Sequence, residues 1–411
     1  MLDKKRILVG ISGGIAAYKI PELIRLLVKA GAEVRVATTP NALNFVTETT
    51  LQTVSGHSVY SDVFAAINAH ATEHISLPEW CDAMIVAPAT ANVLAKTAAG
   101  IADDALTTTI CSCVARKPIV FAPAMNDKMW ENPATQQAIM TIRSWQNVRV
   151  IDPCEGLLAC GTSGKGRMPE PEELLEAVTY ALTEQTMTGK QVLITAGGTQ
   201  EQIDPVRFIS NYSTGKMGIA LAHACTRRGA HVTLVCGAVS APLYNPFGSI
   251  RRIDALSAQA MYEACTALWP QHDIAILCAA VADFTPAQRA QEKIKKEELR
   301  NEGVKELRSE GLILYLKETR DIAKALGETK RPDQQLIGFA LETEHEKENA
   351  LRKLERKNLD AIVLNSLRDK GAGFGTDTNI VTILQADGTA TALPLQSKEL
   401  ISEGILTVLF S

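Results

Sequence analysis

The sequence predicts an α/β protein made of two doubly wound domains, and two observations support this. Short β-branched runs alternate with amphipathic helical stretches, which is typical of a parallel sheet wrapped by helices. The alternation stops at a polar, turn-prone stretch, residues 183–190, and then begins again. We therefore expect one domain over residues 1–185, a linker over 186–190 and a second domain over 191–411.

Composition narrows the class of protein. The chain has 411 residues, is 46% hydrophobic and 21% charged, and carries a net charge of −4, which gives no electrostatic case for nucleic-acid binding. No apolar run approaches the roughly 18 residues of a membrane helix, and a signal peptide is not expected. The nine cysteines form no C-x-x-C pair, which favours a reducing, cytoplasmic location over a disulfide framework.

The first half contains four strands whose following loops are polar. The strands are RILVGIS, EVRVATT, CDAMIVAPA and KPIVFAPA, and the first leads into a helix predicted over GGIAAYKIPELIRLLVKAG that closes at Gly31. The loops are SGGIAAYK, TTPNALNF, APATANVLAK and APAMNDKMW. Ligands of parallel sheets lie at the carboxyl ends of the strands, so we expect these loops to form one site.

Each loop has an ordinary explanation when taken alone. Ser12 and Gly13 break the spacing of a G-x-G-x-x-G motif, so a tight turn and an anion site at a helix N-terminus are equally good explanations. The hydroxyl and amide groups in residues 38–43 and 87–92 are individually typical of helix caps. Three such loops on one edge together favour a nucleotide-like cofactor.

Two further groups in the first half could carry chemistry. His74 can exchange a proton near neutral pH, although a single histidine is more often structural or solvated. Cys160 lies in a glycine-rich stretch, residues 156–174, which predicts either a mobile flap or a surface linker. Cys111 and Cys113 lie in an apolar run and are predicted to be core thiols.

The second half restarts with the strand and loop QVLITAGGT, a helix that ends at Gly229, and the later strands HVTLVCG, DIAILCAAVADF and QLIGFALET. The loop STGKMG is not a Walker A motif, because Ser210 stands where the first glycine is needed and Met217 follows the lysine. The loop still opens a helix, whose N-terminus can bind an anion. The run 292–311 is charged and predicted to be solvated and mobile.

The assembled motifs resemble a known family over essentially the whole chain. Residues 1–185 are similar to flavin-containing cysteine decarboxylases, through PATAN, PAMN with a following MW, and ACG with GKGRM. Residues 191–411 are similar to phosphopantothenate–cysteine ligases, through DPVRFISN, STGKMG, AAVADF, EKIKK, GFALET and KNLD. The combination resembles the bifunctional coenzyme A biosynthesis proteins, which implies two Rossmann-like domains, the first flavodoxin-like and the second nucleotide-binding.

For the first domain the resemblance implies FMN-dependent oxidative decarboxylation of 4′-phosphopantothenoylcysteine. Oxidation of the cysteinyl thiol to a thioaldehyde provides the electron sink that loss of CO₂ needs. Asn126 is implied to bind the substrate carboxylate, Cys160 to donate a proton, and His74 to act in decarboxylation at a site shared between subunits. The implied FMN contacts are Ser12, Gly13, Gly14, Thr39, Asn41, Thr90, Ala91, Asn92 and Ala124, with Met125 shaping the substrate pocket.

For the second domain the resemblance implies ligation of 4′-phosphopantothenate with cysteine through an acyl-cytidylate, driven by CTP with Mg²⁺ as charge neutraliser. Asn211 and Arg207 are implied to contact intermediate and substrate, and Lys293 to lie on a mobile loop that covers the site. The implied nucleotide contacts are Ala279, Ala280, Asp283, Asp321, Phe339, Lys353 and Lys357, with Arg320 replacing a proline common beside Asp321.

Two alternatives have a different substrate or no reaction at all. A decarboxylase for peptides that end in cysteine would not need the second domain, and a phosphatase-inhibiting binding protein would not need His74, Asn126 and Cys160 together. The resemblance also implies a homo-oligomer, a trimer-based dodecamer with ligase dimers, that acts on small molecules without nucleic acid or membrane partners.

Overall fold

A mainly parallel β-sheet lies at the centre of each half of the chain in the computed structural model. The two halves form separate units, residues 1–184 with 244–248, and residues 185–243 with 249–411. The structure describes residues 2–64, 73–157, 161, 163–295, 313–342, 344–366, 373 and 375–410. Cys160 and most of the charged run 292–311 therefore lie outside the described residues.

Six strands form the main sheet among the described residues of the first unit. They are β1 Arg6–Ile11, β2 Glu33–Thr38, β3 Val59–Tyr60, β4 Ala83–Ala89, β5 Ile119–Pro123 and β6 Val148–Val150. Their order is β3-β2-β1-β4-β5-β6, and all neighbours are parallel. This confirms the predicted doubly wound fold, and the strand order is that of six-stranded Rossmann sheets rather than that of flavodoxin itself.

Both faces of this sheet are covered, which explains why its strands are apolar throughout. In β1, Ile7 and Val9 belong to the core on one face, whereas Leu8 belongs to the core on the other. Side chains of a strand alternate between faces, so the continuous apolar run serves two cores.

Eight α-helices belong to the first unit among the described residues. They are α1 Ile20–Lys29, α2 Glu48–Ser55, α3 Glu73–Trp80, α4 Ala91–Ala99, α5 Ala105–Cys113, α6 Asp127–Trp130, α7 Pro133–Arg143 and α8 Pro171–Leu182. The first predicted helix is a 3-10 helix over Ile15–Lys19 before α1 begins, because Pro21 fits only the first turn of an α-helix. Gly31 follows the end of α1 with a positive φ of 94°, so the helix closes there as predicted.

An antiparallel hairpin, β7 Cys154–Leu157 and β8 Ser163–Arg167, occupies the stretch predicted as a flap. The two cysteines of the apolar run differ. Cys113 is buried as predicted, but Cys111 is exposed, so its assignment to the core was wrong. Helix α5 turns by 100° per residue, and positions two apart therefore face different directions.

The main sheet of the second unit contains eight strands among the described residues. They are β9 Gln191–Ala196, β12 His231–Cys236, β13 Ile250–Asp254, β14 Ile274–Leu277, β17 Gln335–Glu342, β18 Ala361–Ser366, β19 Thr378–Gln385 and β20 Ala390–Ser397. Their order is β13-β12-β9-β14-β17-β18-β19-β20. The first six are parallel, and β19 and β20 extend the sheet in antiparallel fashion.

Two small strand pairs and five α-helices complete the described part of the second unit. The pairs are β10 Gln200–Gln202 with β11 Phe208–Ser210, and β15 Phe284–Pro286 with β16 Leu316–Glu318. The helices are α9 Lys216–Arg227, α10 Ala258–Leu268, α11 Ile322–Glu328, α12 Glu346–Arg356 and α13 Lys398–Phe410. Within the described residues, no helix is both long and apolar enough to span a membrane.

Candidate functional sites

A large cavity of about 1090 Å³ lies where the strands of the first unit end. All four predicted loops line it, so the sheet edge gathers them as expected. The hairpin β7–β8 adds Gly166, Arg167 and Met168. The predicted residues that line the cavity are Ser12, Gly13, Gly14, Thr39, Asn41, Thr90, Asn92, Ala124, Met125 and Asn126.

Close backbone contacts fix the loops of this cavity against one another. A Cβ atom at Gly13 would lie 2.6 Å from the Cβ of Asn41, so the glycine allows the first two loops to touch. The Ser12 hydroxyl donates to the carbonyl of Pro88 at 2.6 Å and accepts from the amide of Thr90 at 3.0 Å. The tight-turn and ligand-site explanations of SGG are therefore compatible here.

Asn126 lies at the turn from β5 into α6. Its Oδ1 accepts from the backbone amide of Lys128 at 2.9 Å, so the side chain caps the helix through its oxygen, and Nδ2 is its donor end. The amide of Met125 donates to the carbonyl of Gly166 at 3.0 Å, and a Cβ atom at Gly166 would lie 2.2 Å from the Met125 carbonyl oxygen. The hairpin thus docks on the loop that carries Asn126.

Two ion clusters at this cavity were not predicted. Glu170 pairs with Lys19 at 2.8 Å and with Arg167 at 3.4 Å. Lys96 pairs with Asp103 at 2.7 Å. Glu170 and Lys19 are 151 residues apart, and no local pattern indicates such a pairing.

Three predicted residues of the first unit are not among those lining the cavity. Ala91 begins α4 just beside it. His74 lies in α3, where its Nδ1 is buried and has no hydrogen-bond partner among the described residues. Cys160 lies outside the described residues. The roles predicted for His74 and Cys160 stay predictions.

The second unit contains a cavity of about 480 Å³. Six of the predicted nucleotide contacts line it, namely Ala279, Asp283, Asp321, Phe339, Lys353 and Lys357. Asp321 caps α11 and pairs with Lys357 at 2.9 Å. Burial opposes ionisation of Asp321, but hydrogen bonds from the Lys324 amide and the Lys357 ammonium outweigh it and lower the pKa of this carboxyl.

Asn211 contacts the turn that follows β14 and carries Ala279 and Ala280. Its Nδ2 donates to the carbonyl of Ala280 at 2.7 Å, and its Oδ1 is buried without a partner among the described residues. Ala280 itself lines a second, smaller cavity of about 220 Å³. Sequence reasoning missed Thr195 and Thr199, whose hydroxyls accept from the amides of this turn, at Ala279 and Ala282 respectively.

Arg207 and Lys293 line none of these cavities. The Arg207 guanidinium donates to Asp204 from Nε at 2.9 Å and to the carbonyl of Ile294 at 2.7 Å. Burial would raise the pKa of Asp204, but hydrogen bonds from the Val206 amide and from Arg207 hold it well below its usual value. Asp204 therefore anchors the segment next to Lys293. Among the described residues, no group of three or more His, Cys, Asp or Glu could hold a metal ion.

The first unit has the fold and strand-end cavity of a flavoprotein domain. Residues 1–183 match the family described as Flavoprotein, and residues 187–411 match the family described as DNA/pantothenate metabolism flavoprotein C-terminal domain. The chain is 46% identical over 409 residues to the coenzyme A biosynthesis bifunctional protein CoaBC of Bacillus subtilis (strain 168), covering 99% of this chain and 97% of that protein. The chain belongs to the family of coenzyme A biosynthesis bifunctional proteins.

Two further proteins are similar to this chain, one with a different printed activity and one a solved domain of the same family. A cysteine/cysteine sulfinic acid decarboxylase from an unknown prokaryotic organism is 45% identical over 366 residues, covering 88% of this chain and 98% of that protein. A crystal structure of the C-terminal domain of a coenzyme A biosynthesis bifunctional protein CoaBC is 37% identical, with a TM-score of 0.45, and covers 55% of this chain and 96% of that chain.

Proposed function

We propose that the protein ligates 4′-phosphopantothenate with cysteine at the expense of CTP and then decarboxylates the product to 4′-phosphopantetheine. Residues 1–185 are assigned to the decarboxylase, 186–190 to the linker and 191–411 to the ligase. The observation that carries the proposal is full-length similarity to the family, together with a strand-end cavity in each unit lined by the predicted residues.

The first cavity suits a flavin with a phosphate group, and we propose FMN. The Thr39 hydroxyl lines it and is buried without a partner among the described residues, so a ligand that accepts or donates a hydrogen bond there removes a cost of burial. Its volume of about 1090 Å³ is slightly above the range of about 300–1,000 Å³ that is usual for small-molecule pockets, which leaves room for substrate beside the flavin. FMN supplies reversible two-electron oxidation of the carbon that bears the thiol.

The chain's own residues position the substrate for loss of CO₂. The Asn126 amide can donate to the carboxylate without competing as a base, and its capping bond to the Lys128 amide fixes its orientation. The hairpin β7–β8 holds the loop of Asn126 through the hydrogen bond from the Met125 amide to the Gly166 carbonyl. Proton donation is assigned to Cys160 and proton exchange to His74.

The second unit binds the triphosphate and holds the acyl intermediate. Lys353 and Lys357 supply positive charge to the nucleotide, with Mg²⁺ accompanying the triphosphate. A 4′-phosphopantothenate carboxylate oxygen attacks the α-phosphorus and pyrophosphate leaves. The cysteine amine then attacks the acyl carbon and CMP leaves. Asn211, held by Ala280, can donate to the reacting carboxylate or phosphoryl oxygen.

Similarity to the cysteine/cysteine sulfinic acid decarboxylase favours a second candidate substrate, free cysteine or its sulfinate. This reaction would use the first cavity alone. The two substrates differ by the phosphopantothenoyl group, so a direct comparison of their turnover separates the candidates.

A coupled assay tests the proposal. The purified, yellow protein is supplied with 4′-phosphopantothenate, cysteine, Mg²⁺ and either CTP or ATP, and pyrophosphate and CO₂ are measured separately. Pyrophosphate with CTP, followed by CO₂, is the expected result. CO₂ from cysteine without pyrophosphate would support the second candidate, and neither product would contradict both.

The assembly is also a proposal, a dodecamer built from decarboxylase trimers and ligase dimers. The apolar side chains of Ile15, Tyr18 and Phe45 are exposed close to the first cavity, which supports coverage by another copy. Light scattering on the eluting protein measures the molar mass, and a monomer would contradict it.

A further inference from the structure

The cavity of about 220 Å³ in the second unit shares three lining residues with the cavity of about 480 Å³. Both are lined by Ala279 and Val281, which follow β14, and by Phe339 of β17. The smaller cavity is also lined by residues 213–218, which lead into α9, and by Lys398 at the start of α13. The two cavities are therefore adjacent, with Phe339 between the lysines of the larger one and Lys398 in the smaller one.

Lys398 is buried, with only 5% of its surface exposed. Its ammonium donates to the carbonyls of Thr376 at 2.5 Å and Gly373 at 3.3 Å. Among the described residues, no carboxylate forms an ion pair with it. Burial, with the nearby positive charge of Lys216, lowers the pKa of Lys398 despite the opposing effect of Asp377. A buried cation without an ion-pair partner is costly unless an anion joins it.

The surroundings of Lys398 favour an anionic ligand. Lys216 begins the twelve-residue helix α9, whose N-terminus carries positive dipole and unpaired amides. The carboxylates that act on the charge of Lys398 are Asp377, which pairs with Lys216 and is 86% exposed, and Glu399, which is exposed. Two lysines, Lys216 and Lys398, and the N-terminus of α9 thus line the cavity. The one carboxylate paired with either lysine among the described residues is the solvated Asp377.

We propose that Lys398 binds the β- and γ-phosphates of the nucleoside triphosphate and stabilises the departing pyrophosphate. This inference rests on the proposed ligase function. The nucleoside is assigned to the larger cavity, which Lys353 and Lys357 line. The β- and γ-phosphates are assigned to the smaller cavity, on the other side of the shared residue Phe339. When a carboxylate oxygen bonds to the α-phosphorus, the bond to the bridging oxygen breaks and its electron pair leaves with pyrophosphate. The Lys398 ammonium offsets that charge and transfers no proton.

The test compares two substitutions that separate charge from hydrogen bonding. Lys398→Met removes both, whereas Lys398→Gln keeps an N–H group that can donate to the Thr376 carbonyl and removes only the charge. Lys347→Met, on the exposed face of α12, is the matched control for loss of a lysine from the same unit. Affinities for inorganic pyrophosphate, CTP and CMP are measured on the full-length protein by calorimetry with Mg²⁺, alongside Tm and flavin content.

Both Lys398 variants should bind pyrophosphate and CTP about tenfold more weakly or worse, the value for one charge-assisted hydrogen bond. CMP affinity should change less than about twofold, since CMP lacks the groups that Lys398 is proposed to hold. The control variant should match wild type. If Met weakens binding and Gln restores it, or if CMP and CTP weaken equally, Lys398 only shapes the loop and the inference is wrong.

Wild-type binding separates the inference from the proposed function. If both Lys398 variants bind CTP and CMP with wild-type affinity, this inference is contradicted and the proposed ligase function is not. A wild-type protein that binds neither pyrophosphate nor any of CTP, CMP and ATP would contradict the proposed ligase function and this inference with it.

Discussion

Replacing Gly198 with alanine should slow ligation by displacing the side chain of Asn211. Gly198 follows β9 in a loop that lies directly against Asn211. A Cβ atom at Gly198 would lie 2.5 Å from Asn211 Oδ1. The φ angle of Gly198 is not in the left-handed region, so alanine brings no backbone strain and the clash with the amide is the main effect.

The size of the effect follows from this distance. Ordinary contact begins at 3.4 Å, so the amide at 2.5 Å must retreat by about 0.9 Å. A comparable stretch of the 2.7 Å bond from Asn211 Nδ2 to the Ala280 carbonyl would break it. Misplacing a catalytic group by about 1 Å can cost about 10²-fold in rate. We expect a fall of that order in ligation kcat, measured as pyrophosphate release.

Two internal controls accompany this measurement. Decarboxylation of supplied 4′-phosphopantothenoylcysteine should be unchanged, because it belongs to the other unit. The free energy of unfolding should change by less than about 1 kcal/mol, since alanine lowers the conformational entropy of the unfolded chain and this offsets a small repacking cost.

A double-mutant cycle decides whether Gly198 acts through Asn211. Asn211→Ala removes the amide and makes room for the added methyl group. The double variant should therefore be no slower than Asn211→Ala alone. If the two losses multiply, or if Gly198→Ala ligates at the wild-type rate, the reasoning from this contact is wrong.

The remaining predictions concern other parts of both units. Lys293→Gln should abolish pyrophosphate release and leave CO₂ release intact; joint loss of both would contradict the separation of the two sites. Cys160→Ser should accumulate an oxidised product detectable by mass spectrometry, and normal 4′-phosphopantetheine release would rule out its role as proton donor. Thr39→Val should weaken FMN binding about tenfold, because the lost hydroxyl is proposed to bond the ligand. The stability of the flavin-free protein should not fall, since this hydroxyl has no partner among the described residues; unchanged affinity in a fluorescence titration would place the flavin elsewhere. Asp321→Asn should lower Tm at pH 7, because the lowered pKa of Asp321 stabilises the folded state at any pH above the unfolded value. The difference in Tm should begin to shrink below about pH 4 and vanish once the pH has fallen through the folded pKa; a difference that persists in stronger acid would contradict the ion pair with Lys357 as its cause.

Much of the fold and of the first site could be predicted from the sequence. Strands buried on both faces must be apolar at every position, so runs such as the one that holds Ile7 and Leu8 are visible without a structure. Parallel strands also place their following loops on one edge, which is why the loops of Gly13 and Asn126 were expected together. The expectation failed for Cys111, because a helix exposes one face even within an apolar run.

Charged partners distant in the chain could not be predicted. Glu170 joins Lys19 and Arg167 only because α8 and the hairpin β7–β8 return to the edge where β1 ends. Lys398 is part of the smaller cavity because α13 begins after β19 and β20 have turned back along the sheet. Local periodicity specifies which residues form an element and says nothing about its neighbours.

The sequence by itself determined the two doubly wound domains, the polar loops at their strand ends and the family to which the chain belongs, because these depend on patterns within a few residues. The tertiary structure decided which distant side chains share a cavity, which polar atoms such as Thr39 Oγ1 and Asn211 Oδ1 are buried without partners among the described residues, and which glycines allow two loops to touch. The physical reason is that these properties depend on strand order and on the face that each helix covers, and both are set by packing between residues far apart in the chain.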